Sequence, residues 1–224
     1  MILLAIDTST RYAGVAVADA DRVLAETTWH SHQNHGAELL PAAIARLNQI
    51  GLDIRDITHL AVALGPGGFS ALRVGIATVK GLALPRGLPV AGISTFDVEA
   101  APHLDVDAPL YALIPAGRGQ LAWACYGEAP SPARRRTQSG LATPENLLTC
   151  APGDARFCGE GAALLAPHTP AAHLLSGPPP TRRPGVLARL ALDRFTDGDV
   201  DDPDNLEPAY ARAPSISTPR PPDI

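Results

Sequence analysis

Aromatic side chains are scarce in this sequence: two Trp, four Tyr and four Phe make up 4% of its 224 residues. A surface that stacks bases needs more rings, and one that follows a phosphate backbone needs positive charge, whereas the formal net charge here is −5. Together these exclude a self-sufficient nucleic-acid binder. Lysine is almost missing, Lys80 being the single one among 18 basic residues. Cys125, Cys150 and Cys158 are too few and wrongly spaced for a disulfide framework or a thiolate metal site, and read as reduced thiols. No apolar run reaches the roughly 18 residues of a membrane span. The first strand follows directly on the start, without a basic stretch and cleavage site, so a cytoplasmic protein with no membrane contact is expected. Neither a Gly-x-Ser-x-Gly elbow nor a His-Glu-x-x-His helix occurs. His30, His32 and His35 crowd together but lack an acid or cysteine at ligand spacing, and no metal is expected there.

What the chain does have is a glycine-rich segment at residues 65–75, Gly-Pro-Gly-Gly-Phe-Ser-Ala-Leu-Arg-Val-Gly. It follows an apolar strand-like run, 60–64, and leads into helical periodicity over 71–84. A strand, a glycine turn and a helix place backbone N–H groups at a positive helix end, which suits an anion or the close approach of another chain. As a nucleotide loop it fails two tests. Lys80 is not in a Gly-Lys-Ser/Thr context, and no acid stands between Asp56 and Asp97 to hold a ribose. The helix behind it carries Ala71, Gly75, Thr78 and Leu82 on one face and Leu72, Ile76, Val79 and Ala83 on the next, with Arg73 and Lys80 as a thin polar stripe. Such a helix is buried on most sides, in its own core or against a partner, with Gly75 and Thr78 small enough to admit another helix. Asp7-Thr8-Ser9-Thr10, closing the first strand, can hold a metal–phosphate group or simply cap a turn.

Strands are predicted over 1–7, 12–18 and 22–28, then a helix carrying Leu39, Leu40, Ala43, Ile44, Leu47 and Ile50 with Pro41 in its first turn. The strand at 60–64, the second helix, a strand at 89–92 and a short helix at 95–101 complete a first lobe, 1–101. A second lobe, 102–213, opens with strands at 110–114 and 121–126 that echo the first strand–turn–strand unit, and is expected to include a C-terminal helix at 185–195. Residues 214–224 are expected to form a disordered tail, and Arg134-Arg135-Arg136 and Arg182-Arg183 to be solvated loops.

Taken together these segments resemble the TsaB (YeaZ) family, the dimerisation partner in bacterial tRNA threonylcarbamoyladenosine synthesis. The opening Ile2-Leu3-Leu4-Ala5-Ile6-Asp7-Thr8-Ser9-Thr10 is similar to the family's first strand. His35 with Leu39-Leu40-Pro41 resembles His-Ser-Glu-x-Leu-Leu-Pro, Gly36 and Ala37 replacing Ser and Glu. The glycine segment resembles Gly-Pro-Gly-Ser-Phe-Thr-Gly-Leu-Arg-Ile-Gly and continues into Lys80-Gly81-Leu82-Ala83. Glu207-Pro208-Ala209-Tyr210-Ala211-Arg212 is similar to Glu-Pro-x-Tyr-Leu-Arg. The resemblance implies an α/β actin-like ATPase (ASKHA) fold, each of two lobes having a mixed β-sheet flanked by helices. It implies a role beside the paralogue TsaD, which transfers a threonylcarbamoyl group to the adenosine next to the anticodon, with the small ATPase TsaE as third member. That paralogue carries a His-x-x-x-His metal pair where this chain has Thr95 and Glu99. Relatives also have Asp-Ala-Arg where Pro115-Ala116-Gly117 stands here, with Arg118 one position later.

The resulting expectation is a subunit without catalytic residues, metal or cofactor of its own that binds and activates a TsaD-like transferase. It would touch tRNA only through the complex and form a homodimer in isolation. Its interface is expected at Leu40, Ile44, Leu47, Phe69, Leu72, Arg73, Ile76 and Val79, with Asp7, Thr8, Ser9, Gly67 and Gly68 as a vestigial nucleotide site. The rival reading is an enzyme acting alone: an actin-like ATPase or carbamoyl-type transferase, or a metallopeptidase-like protein.

Overall fold

The computed structural model describes residues 1–32, 34–127 and 136–212. The first sheet begins as a meander, β1 (Leu3–Asp7), β2 (Tyr12–Ala18) and β3 (Val23–His30). Helix α1 (His35–Gln49) leads to β4 (His59–Gly65), and α2 (Phe69–Ala83) to β5 (Val90–Ser94). The strand order is β3-β2-β1-β4-β5, with β4 parallel to both β1 and β5. Both faces of β1, β2 and β4 are buried, which is why they read as continuous apolar runs, whereas the outer β3 keeps Glu26, Thr27 and Thr28 half-buried. Leu4, Ile6, Val15, Val17, Leu60 and Val62 meet Leu39, Ala43 and Leu47 of α1 and Ile76, Val79 and Ala83 of α2. The opposite face is nearly all alanine (Ala5, Ala16, Ala18, Ala61, Ala63, Ala91), and those short side chains let α5 (Pro184–Thr196) seat Leu187, Ala188 and Ala191 against it.

Helix α3 (Thr95–Ala100) leads into the second sheet: β6 (Leu110–Pro115), β7 (Leu121–Tyr126), β8 (Arg136–Ala142) and, after α4 (Pro144–Cys150), β9 (Arg156–Cys158). Its order, β8-β7-β6-β9, has β9 parallel to β6 and the other pairs antiparallel. That repeats β3-β2-β1-β4 strand for strand, so the echo seen in one strand–turn–strand pair extends over four strands.

Three expectations are corrected. The last helix packs on the first sheet and not within the second lobe, its Leu187, Ala188 and Ala191 seated on the alanine face. Pro41 is the seventh residue of α1, not part of its first turn. The hydrogen bond its ring removes is one to the exposed Ala37, where water can replace the lost donor. Arg182 is buried, as described below, although Arg183 is exposed and pairs with Glu26. Arg134, Arg135 and the 214–224 tail lie outside the described residues.

Candidate functional site

In parallel sheets, ligands gather at the carboxyl ends of strands. Here β1 ends at Asp7 and β4 at Gly65, and across from them lie the β6–β7 turn and a 3₁₀ turn at Glu160–Leu164. Between the lobes is a cavity of about 790 Å³ whose walls include Thr10, His35, Ser70, Pro115 and Glu160. His35 is buried and its Nε2 lies 3.0 Å from Thr10 O, fastening the start of α1 to the β1–β2 turn.

One guanidinium is buried behind this cleft, on the far side of the wall residues Thr10 and Glu160. Arg182 lies 2.8 Å (Nε) from Asp7 Oδ2 and 2.9 Å each from the Oε1 atoms of Glu99 and Glu160. It also donates to Thr10 Oγ1 at 2.7 Å. Its side chain is 3% exposed. Burial works against the Arg182 charge, but the carboxylates of Asp7, Glu160 and Glu99 outweigh it and hold its pKa above the ordinary guanidinium value. Burial pushes the Glu99 carboxyl up, despite Arg182 beside it and hydrogen bonds from Thr181 Oγ1 and the Glu160 N–H.

This gives a pH prediction. A carboxyl whose pKa is raised on folding contributes stability below its unfolded value, near 4.5, that is lost as pH rises through the folded pKa. Arg182, Glu160 and Cys158 lie beside position 99 in both proteins compared. The stability of the wild type relative to Glu99→Gln is therefore expected to fall from pH 4.5 upward, by at most about 1.4 kcal/mol per pH unit. Urea unfolding of both proteins between pH 4 and 8 measures this.

The expected nucleotide residues are placed close together but turned to internal work. Asp7, Thr8 and Ser9 are buried. Asp7 Oδ1 accepts from Ser9 N (2.8 Å) and Ser9 Oγ (2.5 Å) while Oδ2 takes Arg182, and Thr8 Oγ1 donates to Ala71 O. Gly68 N donates to Ser9 O at 2.7 Å. The glycine loop therefore closes on the β1–β2 turn. Gly75, read as a gap for a partner helix, is filled by Thr8 of the same chain.

The expected interface divides in two. Leu47, Leu72, Ile76 and Val79 are corrected to core: each is at most 4% exposed, packed within this chain's own fold. Helical periodicity could not separate the face toward the sheet from the face toward solvent, because both are apolar. Leu40 and Ile44 on α1 remain exposed, at 40% and 44%. Phe69 and Arg73 are exposed but engaged: Arg73 lies 3.8 Å over the Phe69 ring, Phe69 stacks on Tyr210, and Arg73 Nε donates to Tyr210 Oη at 2.9 Å. The Glu-Pro-x-Tyr-x-Arg motif is thus a strap. Ala209 N donates to Leu64 O at its near end, and Arg212 reaches Gln120 of the second lobe at its far end.

Sequence reasoning missed Arg182, Glu160 and the role of Glu99. The signal was three acids set in otherwise apolar stretches, each in need of a counter-charge once buried. Among the described residues, no group of three His, Cys, Asp or Glu side chains is placed to hold a metal ion. No helix among them is long and apolar enough to cross a membrane.

The model of the family described as "TsaD: tRNA N6-adenosine threonylcarbamoyltransferase" matches residues 22–148. The tRNA threonylcarbamoyladenosine biosynthesis protein TsaB of Bacillus subtilis is 32% identical over 126 residues, 56% of this chain and 55% of that protein. The protein of the same name from Escherichia coli is 35% identical over 128 residues, again 56% and 55%. The chain thus spans about half the length of the curated relatives it matches. A solved structure of YeaZ from Pseudomonas aeruginosa superposes with a TM-score of 0.78 at 24% identity, over 93% of this chain and 99% of that one. The shared fold, two mixed sheets with flanking helices, therefore extends through both lobes.

Proposed function

The chain belongs to the family that this model describes, in its TsaB (YeaZ) branch, and on that premise we propose that it is the non-catalytic subunit of a tRNA threonylcarbamoyladenosine synthesis complex. In this reading it binds and activates a TsaD-like transferase in the cytoplasm, with a TsaE-like ATPase as third member. It meets tRNA only inside the complex, uses no cofactor of its own, and pairs with a second copy through the same face when alone. Activation is positional: the subunit binds the competent geometry of the transferase in preference to others and so raises its population.

The observation that carries this reading is the internal use of Asp7 at the end of β1. Asp7 is buried, and Ser9 N, Ser9 Oγ and Arg182 Nε take three of its roughly four acceptor positions, so it serves bonds within the chain and does not face the cavity as a metal–phosphate ligand would. Leu40 and Ile44 supply apolar surface for a partner.

Reconstitution tests it. The chain, a TsaD-like and a TsaE-like protein, threonylcarbamoyl adenylate and tRNA are expected to yield modified adenosine, and leaving the chain out is expected to abolish the product. Micromolar binding of magnesium ATP by the isolated chain, lost in Asp7→Ala, would defeat the non-catalytic reading in favour of an ATPase.

A further inference from the structure

We propose that Arg182 is a permanent latch that fixes the angle between the two lobes, so that their arrangement does not depend on a bound ligand. The inference stands on contacts within this chain and holds whether or not the partner reading does.

The three carboxylates come from three separate elements: Asp7 from the end of β1, Glu99 from α3 and Glu160 from the 3₁₀ turn of the second lobe. Without a cation they repel one another and drive those elements apart. A guanidinium is planar, with donors on all three nitrogens, and here each nitrogen has its own carboxylate. A lysine would offer one point charge and could not reach all three. The second Arg182 NH₂ group also holds Thr10, whose hydroxyl in turn donates to Glu160 Oε1 at 2.8 Å, so the β1–β2 turn and the second lobe share one network.

The location of Arg182 in the chain strengthens the inference. Residues 174–176 belong to the second sheet's edge, where Leu175 N donates to Phe157 O and Gly159 N to Ser176 Oγ, both at 2.8 Å. Eight residues after Ser176, at Pro184, α5 begins on the first sheet. Arg182 lies in that crossover, where the chain passes back between lobes. Helix α3 is the natural joint, because Phe96 and Ala100 pack with the second sheet and Val98 with the first. Arg182 bolts the joint by gripping Glu99 on α3 and one carboxylate on either side of it.

Hydrogen exchange on the full chain tests the latch, using wild type, Arg182→Met, and Arg182→Met combined with Asp7→Asn and Glu99→Gln. The combined variant removes two of the three stranded charges and leaves Glu160, which borders the cavity, so it keeps the experiment informative should Arg182→Met alone not fold. In the variants, peptides covering residues 7–11 and 158–164 are expected to exchange at least about tenfold faster, with β2, β3 and β7 unchanged. Magnesium ATP is expected to leave the wild-type pattern as it is. Wild-type protection at both segments in the combined variant would overturn the proposal. So would tenfold added protection of the wild type by ATP, which would make a ligand the element that sets the angle. Loss of protection throughout the combined variant would also overturn it, since Arg182 would then support the lobes themselves and not the joint.

Discussion

Gly67→Ala is expected to cost the fold about 3 kcal/mol and to lower the thermal midpoint by roughly 6–12 °C in a chain of this size. A methyl group at Gly67 would run into the carbonyl oxygen of Ser9, with the Ser9 carbonyl carbon at 2.8 Å and its Cα at 3.0 Å. These are backbone atoms, so no rotamer change relieves the overlap. The Ser9 carbonyl is also fixed from below, because it accepts the Gly68 N–H and its own residue caps Asp7. The added methyl can be accommodated only if the loop lifts away from the β1–β2 turn, and that breaks the same hydrogen bond. Gly81→Ala is the control. It lies inside α2 with nothing within 4 Å of the new methyl, and is expected to stabilise by about 0.5–1 kcal/mol through helix propensity. Equal midpoints for Gly67→Ala and wild type in differential scanning calorimetry would show that the close approach is not what the glycine is for.

The second large effect is on association. Leu40→Asp with Ile44→Asp is expected to weaken binding to a TsaD-like partner at least about 100-fold, the loss of two apolar anchors and the burial of two charges. Both residues are exposed in the free chain, so folding stability should fall by only about 1–1.5 kcal/mol, from helix propensity and the new like-charge pair at i,i+4. Val79→Glu cannot serve this purpose. Val79 is fully buried against the sheet, and a carboxylate there would unfold the chain before any interface could be probed. Calorimetric titration of the partner, with a circular dichroism melt of each variant, separates the two outcomes. An unchanged affinity would move the partner surface away from α1.

These expectations rest on different amounts of sequence information. Strands with buried faces and helices with a regular apolar repeat were legible, which is why β1 to β7, α2 and α5 fall close to where the pattern puts them, while α1 starts earlier, at His35, than Pro41 suggested. β8 was not, because Arg136, Thr137, Gln138 and Ser139 are exposed on an outer strand and carry no alternation. β9 is three residues long, too short for any period to register. At the cleft, Asp7 stood out because its neighbours form a motif. Arg182 sits in a proline-rich stretch that carries no pattern, and its partners are 83 and 175 residues away in sequence, toward Glu99 and Asp7. Pairings of that kind follow from the tertiary fold. Which apolar face of α2 meets the sheet was likewise settled by packing, since Ile76 and Val79 look no different from Leu40 and Ile44 in sequence.

The seating of α5 on the alanine face has a consequence for how the protein is made. Ala5, Ala16, Ala61 and Ala91 are all synthesised before residue 101, yet the helix that covers them starts at Pro184. A nascent chain cut off at 101 therefore has only Val98 of α3 against the alanine face of its sheet. The amino-terminal half cannot finish folding on the ribosome ahead of the rest; it must wait, sticky on one side, until the carboxyl-terminal helix emerges.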